Sequence, residues 1–170
     1  MTTIKKYLFF ILISFFLNNI SLSDTISISD TTTDEPKAPV KTSDYDLAKK
    51  YILKADKYDN KNKSKKATKF YNKALKLLHS SNKEYEINAN IFYNLGYVNQ
   101  KLRNLENAEI YYLLGLEIDP KHNKINKNLG ELYVNLNKSD KAKERLKVLQ
   151  NCNCEEFKSL NDLVKLSASK

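Results

Sequence analysis

Ile91 to Pro120, IFYNLGYVNQKLRNLENAEIYYLLGLEIDP, is the stretch from which the rest of the chain can be read, because the segment after it repeats its skeleton. Leu95-Gly96 returns as Leu129-Gly130, and Ala108 returns as Ala142, each 34 residues on. Tyr112 is matched at the same interval by Leu146, so a large apolar residue comes back four positions after each alanine. A period of 34 residues is the length of a helix–turn–helix unit that must stack on its neighbours to bury an apolar face.

The chain has three glycines, Gly96, Gly115 and Gly130, and all lie in segments that otherwise read as helix. Glycine there costs about 1 kcal/mol relative to alanine, and close approach of two backbones is a reason to bear it. With Gly96 at position 8 of a unit, Phe92 falls at 4, Leu95 at 7, Ala108 at 20, Tyr112 at 24, Gly115 at 27 and Pro120 at 32. The pattern resembles the tetratricopeptide repeat, which has a large aromatic, Leu-Gly, small, aromatic, small and proline residues at those places. The resemblance implies an all-α solenoid of three repeats, 48–81, 89–122 and 123–156, within a domain spanning 44–170. It also implies a binding scaffold and no enzyme.

The first of these repeats is degenerate. With Ala67 at position 20, Tyr51 falls at 4, Ala55 at 8, Tyr58 at 11, Tyr71 at 24 and Ala74 at 27, but Lys54 stands for leucine and His79 for proline. Seven residues, Asn82 to Asn88, separate it from the next repeat. Tyr85, Asn88 and Phe92 continue one face, which makes these residues an N-terminal extension of the following helix; the alternative is a loop with Asn82 as a cap. Asn104 and Ser139 are candidate caps for second helices. Asp119-Pro120 reads as a cap followed by proline at the first helical position, so that the next helix starts at once. Asn126 and Asn99 replace the usual aromatics of positions 4 and 11, and looser packing is expected there. The last segment, 155–168, has Phe157, Leu160, Leu163, Val164 and Leu166 on one side and charges on the other, as a helix closing the end of a stack requires.

Working back to the N-terminus, Lys5 and Lys6 precede an apolar run from Tyr7 to Leu17 broken only by Ser14, and Ser21-Leu22-Ser23 follows. This is the pattern of a secretory leader over 1–23, cleaved after Ser23, the alternative being an anchor that is kept. A periplasmic or secreted location is the corresponding expectation, with no membrane span after cleavage. Residues 24–43, rich in Ser, Thr, Asp and Pro, read as a flexible linker. Removing the leader leaves 27 basic against 20 acidic residues, or +7. The excess is uneven: residues 41–81 hold twelve lysines against four aspartates. A basic first repeat can speed encounter with acidic partners, although lysine-rich runs are more often solvated helix faces and turns. Nucleic-acid binding is not expected of an exported chain.

Little else could carry chemistry. The glycines are isolated, so no phosphate loop exists; no serine sits in a nucleophile elbow; His79 and His122 read as solvated turn residues outside any metal-ligand spacing. No cofactor or metal is expected. Cys152 and Cys154 form the one reactive pair, open to a local staple, a labile dithiol or two free thiols. That pair running into Glu155-Glu156, with Leu129-Gly130-Glu131-Leu132-Tyr133 before it, resembles the C-terminal end of small exported bacterial tetratricopeptide proteins. A thiol redox or metal-handling role through Cys152 and Cys154 is therefore the alternative function.

In the tetratricopeptide family the first helix of each repeat lines a concave groove through positions 2, 5, 9, 12 and 13. Carried onto this chain, the resemblance points to Lys49, Ile52, Asp56, Asp59 and Asn60; to Asn90, Tyr93, Tyr97, Gln100 and Lys101; and to Lys124, Lys127, Glu131, Val134 and Asn135. Tyr93 and Tyr97, four apart, lie one above the other, either as partner anchors or as packing between first helices. Asp56 and Glu131 do not suit a clamp for a C-terminal carboxylate. The expectation is an exported scaffold holding a protein or peptide of the envelope, through Asn90, Tyr93, Tyr97, Gln100, Lys101, Lys124 and Lys127.

Overall fold

Seven helices occur in the computed structural model, which describes residues 43–84 and 88–169. The leader over 1–23 and the linker over 24–43, Ser43 apart, lie outside the described residues. The helices are α1 (Asp44–Asp59), α2 (Ser64–Glu84), α3 (Ala89–Lys101), α4 (Leu105–Ile118), α5 (Asn123–Asn135), α6 (Ser139–Leu149) and α7 (Glu155–Ala168). They pack as consecutive antiparallel pairs, α1 on α2, α3 on α4 and α5 on α6, and each pair leans on the next. The fold is an all-α solenoid, with α7 packed on both helices of the third pair.

The turn inside each pair is built the same way three times. Lys63 N–H donates to Tyr58 C=O at 2.9 Å, Asn104 to Asn99 at 2.9 Å and Lys138 to Tyr133 at 2.8 Å. This six-to-one bond closes a helix through a residue in the left-handed region. That residue is Asn62 (φ 55°), Arg103 (φ 66°) or Asn137 (φ 57°), always at the same place in the unit. Asparagine tolerates the conformation and arginine does so poorly.

The glycines mark where helices touch. A Cβ on Gly96 would stand 2.5 Å from two ring carbons of Tyr112, a fully buried residue of α4. A Cβ on Gly130 would meet Leu160 of α7 at 2.5 Å, so the last helix docks directly on the third pair's glycine. Two apolar clusters result, one among α1, α2 and α3 around Ile52, Tyr71, Leu78 and Leu95, the other from α3 to α6 around Tyr112, Ile125, Leu129 and Leu132.

Several local expectations are corrected. Residues 82–84 continue α2 rather than extending α3, and Asn88 caps α3 by accepting the Ile91 N–H at 3.1 Å. Asp119 does not start α5: its side chain accepts the Lys121 N–H in a tight turn, and His122 Nδ1 caps α5 instead. Asn104 precedes α4 without a side-chain capping bond, and Ser139 is the first residue of α6, behind Lys138. His79 lies in α2 with its ring edge against Tyr111, 6.1 Å between centroids. Asn126 is not loosely held. It is 0% exposed and donates to the Pro120 and His122 carbonyls at 3.0 and 3.2 Å, while Asn99, 2% exposed, donates to Leu95 C=O. An amide that bonds the preceding turn fills the space where an aromatic would have packed.

Two substitutions should move stability in opposite directions. Gly96→Ala gains helix propensity of about 1 kcal/mol but drives a methyl into a rigid buried ring, where overpacking costs about 1–3 kcal/mol, for a net loss on the order of 1 kcal/mol. Arg103→Asn relieves a left-handed arginine and should add about 0.5–1 kcal/mol. Urea denaturation of the two variants beside the native chain checks both signs.

Candidate functional site

The first helices of the pairs, α1, α3 and α5, lie side by side, and α7 follows α5. Their shared face carries two adjoining cavities. The larger, about 530 Å³, is lined by Asp59, Tyr97, Gln100, Lys101, Lys127 and Glu131 among others. The smaller, about 260 Å³, lies between Tyr93, Lys124 and Lys127 on one side and Glu155, Glu156 and Ser159 of α7 on the other. Lys127 and Asn128 line both, so the two form one groove.

Its floor is a polar seam across the repeats. Tyr71 and Tyr97 both donate their hydroxyls to Asp56 Oδ1, at 2.5 and 2.8 Å. Hydrogen bonds to a carboxylate are the stronger kind, and this one carboxylate ties α1, α2 and α3 together. Lys101 Nζ meets Asp59 Oδ2 at 2.9 Å across the same boundary. At the next boundary Tyr112 donates to Gln100 Oε1 at 2.8 Å and accepts from Asn128 Nδ2 at 3.3 Å, and Asn90 Oδ1 faces His122 Nε2 at 3.2 Å. With His122 Nδ1 accepting a backbone N–H, the ring proton sits on Nε2 and is donated to Asn90.

The residues expected to face a ligand therefore differ in what they have to offer. Asn90, Gln100 and Lys101 line the concave face but are engaged between helices. Tyr97 borders the larger cavity with its hydroxyl committed to Asp56. Lys127 pairs with Glu131 at 2.8 Å. Ile52, placed in the groove by register, is 8% exposed and belongs to the core, and Lys49 pairs with Asp46 at the start of α1. Lys124 is exposed and Glu156, which lines the same cavity, is half-buried; among the described residues neither has an ion-pair partner. Tyr93 stacks between Tyr97 and His122 at 6.2 and 5.8 Å and lines the smaller cavity. Register missed Glu155, Glu156 and Ser159, which reach the groove only because α7 packs back against α5.

On the edge of the array, Glu109 of α4 receives Lys138 at 3.1 Å and Lys141 at 3.7 Å from the third pair. Burial alone would raise its carboxyl, but the hydrogen bonds from Lys138 and Tyr133 and the two lysine charges hold it below the usual range. Tyr133, burial first and then the bond to Glu109, is pushed up to about 12.

A disulfide joins Cys152 and Cys154, with Cα atoms 5.2 Å apart, immediately before α7. Asn153 between them is left-handed at φ 47°. Among the described residues no group of three or more His, Cys, Asp or Glu side chains is placed to hold a metal ion, and no helix is long and apolar enough to cross a membrane.

The phenols give the seam a pH signature. Burial first pushes Tyr71, Tyr97 and Tyr112 above the ordinary 10.0; the bond to Asp56 and its charge add to this for Tyr71 and Tyr97, whereas for Tyr112 the Asn128 bond opposes it. A phenol raised in the fold contributes fully below its unfolded value, and that contribution is lost as pH rises past it, because the unfolded chain releases a proton that the fold retains. Stability should fall from about pH 10 upward. Tyrosinate absorbance should appear in two stages, with Tyr71, Tyr97, Tyr112 and Tyr133 ionising together with the loss of helical circular dichroism. Tyr97→Phe should cost about 1–2 kcal/mol at neutral pH, read by denaturation.

The tetratricopeptide repeat family model matches residues 51–77 and 89–122. Among solved structures the chain is similar to the Arabidopsis OM64 TPR domain, at 18% identity over 72% of this chain and 98% of that one, with a TM-score of 0.49. It is similar to the first TPR of Spaghetti (RPAP3) bound to the HSP90 peptide SRMEEVD, at 22% identity over 75% and 94% of the two chains, TM-score 0.49. The first TPR domain of human RPAP3, solved by NMR, gives 19% identity over 73% and 97%, TM-score 0.46. No curated protein matches the chain. The family's model lies on the first two helix pairs, and the third pair continues the same spacing of 34 and the same left-handed turn; the first two helix pairs are tetratricopeptide repeats.

Proposed function

We propose that this chain is an exported scaffold that holds a segment of an envelope protein in its concave groove, and that it catalyses no reaction. The observation that carries the reading is the continuity of the groove from Asp59 to Ser159, with Lys124 and Glu156 left without ion-pair partners among the described residues at its smaller end beside the ring of Tyr93. A floor already fixed by hydrogen bonds loses little freedom when a partner settles on it, which favours affinity without new contacts. Lys124 and Glu156 give the partner two opposite charges to match, so the segment bound there carries an acidic and a basic group. Support for export comes from Lys5, Lys6, the apolar run to Leu17 and Ser21-Leu22-Ser23, and from a bonded cysteine pair, which persists in oxidising compartments.

The second reading, thiol chemistry through Cys152 and Cys154, is favoured by one observation, the bridge between residues only two apart. Small rings of this kind are more easily opened than large structural ones.

A photo-crosslinking residue at Lys124, with a control at the exposed Val148 on the opposite helix row, tests the groove in the native host. One envelope protein captured at Lys124 and absent at Val148 is the expected result. Capture at Val148 alone would overturn it. The Cys152→Ser, Cys154→Ser double variant should retain that capture; its loss would move the function to the thiols.

A further inference from the structure

The first helix pair holds a charge excess that its own structure does not neutralise. Of the four aspartates in residues 41–81, Asp46 binds Lys49, Asp59 binds Lys101 of the next pair, Asp56 holds two tyrosine hydroxyls and Asp44 sits in the first turn of α1. Lys50, Lys54 and Lys57 on α1 are spaced i, i+4, i+7, and Lys66, Lys69, Lys73 and Lys76 on α2 are spaced i, i+3, i+7, i+10. Each set therefore forms one row along its helix. All seven are exposed, and among the described residues none makes an ion pair.

Between the rows runs a ladder of rings. Phe70 of α2 stacks on Tyr58 at 5.5 Å and 4°, and on Tyr51 at 5.9 Å and 25°, both from α1. Lys54 Nζ stands 4.5 Å from the Phe70 centroid, Lys73 5.4 Å from Tyr51, and Lys66 5.6 Å from Tyr58. The rings are half-buried, and these lysine ammonium groups stand over them. The far end of the array is finished differently. There α7 covers the last pair and seats Leu160, 0% exposed, on Gly130. Among the described residues no helix covers the ladder at the first pair, which packs on α3 and, through His79, meets Tyr111 of α4.

Seven like charges around an apolar strip repel one another and are relieved by an anionic neighbour. No arginine occurs in residues 41–81, so nothing here reads an anion by a bidentate fork; the surface selects by charge and shape. Its apolar strip, from Tyr51 to Tyr58, is about 10 Å long, two helical turns. We propose that this flank docks an amphipathic helix of a partner protein, with its apolar stripe on Tyr51, Phe70 and Tyr58 and its Asp and Glu residues facing the lysine rows on either side. The partner's helix closes the first end of the array as α7 closes the last, and it does so independently of the groove.

The probe is a fluorescent synthetic helix with leucines on one stripe and glutamates on both flanks, titrated with the full chain by anisotropy at low and high salt. Saturable binding that weakens with salt, falls about tenfold in the Lys54→Glu, Lys73→Glu variant, and is unchanged by Lys124→Glu in the groove supports the proposal. Both replaced side chains are exposed, and circular dichroism of the variant verifies its helices. Equal binding of a scrambled peptide of the same composition, which has no apolar stripe, would overturn it, as would equal binding by the variant. Tighter binding of phosphatidylglycerol vesicles or single-stranded DNA, lost in the same variant, would assign the flank to a membrane or to nucleic acid and overturn it too.

Discussion

Tyr112 against Gly96 sets the geometry on which the rest of the array depends. Without a side chain at Gly96, the ring of α4 lies on the backbone of α3, and the two helices approach as closely as the ring's thickness permits. The hydroxyl of that ring then reaches Gln100 on α3 and Asn128 on α5. One residue thus fixes the distance within a pair and the register between pairs. Because the phenol is fully buried, both of its bonds must be present or a polar group is stranded, so the arrangement has no soft alternative.

The same logic explains why the concave face is polar and yet rigid. Asp56 would be an unfavourable carboxylate among helices were it not receiving two hydroxyls, and Lys101 engages Asp59 beside it. Neutralising these charges inside the seam removes them from the repertoire a partner can use. What remains is concentrated at the α5 and α7 end, where Lys124 and Glu156 face each other across the smaller cavity. Recognition is therefore confined to a short part of a long concave surface. At the first pair the opposite holds: Asp46, Asp56 and Asp59 are engaged, most of the lysines make no ion pair among the described residues, and charge accumulates on the outside.

The fold and the family were legible because they depend on spacing. The glycine, alanine and aromatic positions recur every 34 residues whatever their neighbours do, and the helical period of α7 stands out on its own. The site was less legible because its state depends on partners far along the chain. Nothing near Tyr97 says that its hydroxyl belongs to Asp56, 41 residues earlier. Nothing in position 5 of the first unit distinguishes a groove-facing isoleucine from the core residue that Ile52 is. Caps failed for a related reason. Asp119 and His122 are both competent, and the choice falls to His122 because its other nitrogen can reach Asn90 on the neighbouring pair. Asn126 looked like a gap in the packing pattern and is instead a hydrogen-bonded plug.

The seat of Leu160 on Gly130 also bears on how such a chain can change over generations. A stack of equal units lengthens by duplicating one of them, each new unit packing its face on the next. Here Gly130 of the third unit is already occupied by α7, a helix that contains no glycine. Duplication after α6 would have to evict Leu160, and duplication before it would have to reproduce contacts that differ at every boundary: Tyr97 to Asp56 at one, Tyr112 to Asn128 at the next. Lengthening after α6 is thereby opposed by particular side chains, and variation is channelled into the surfaces the array presents.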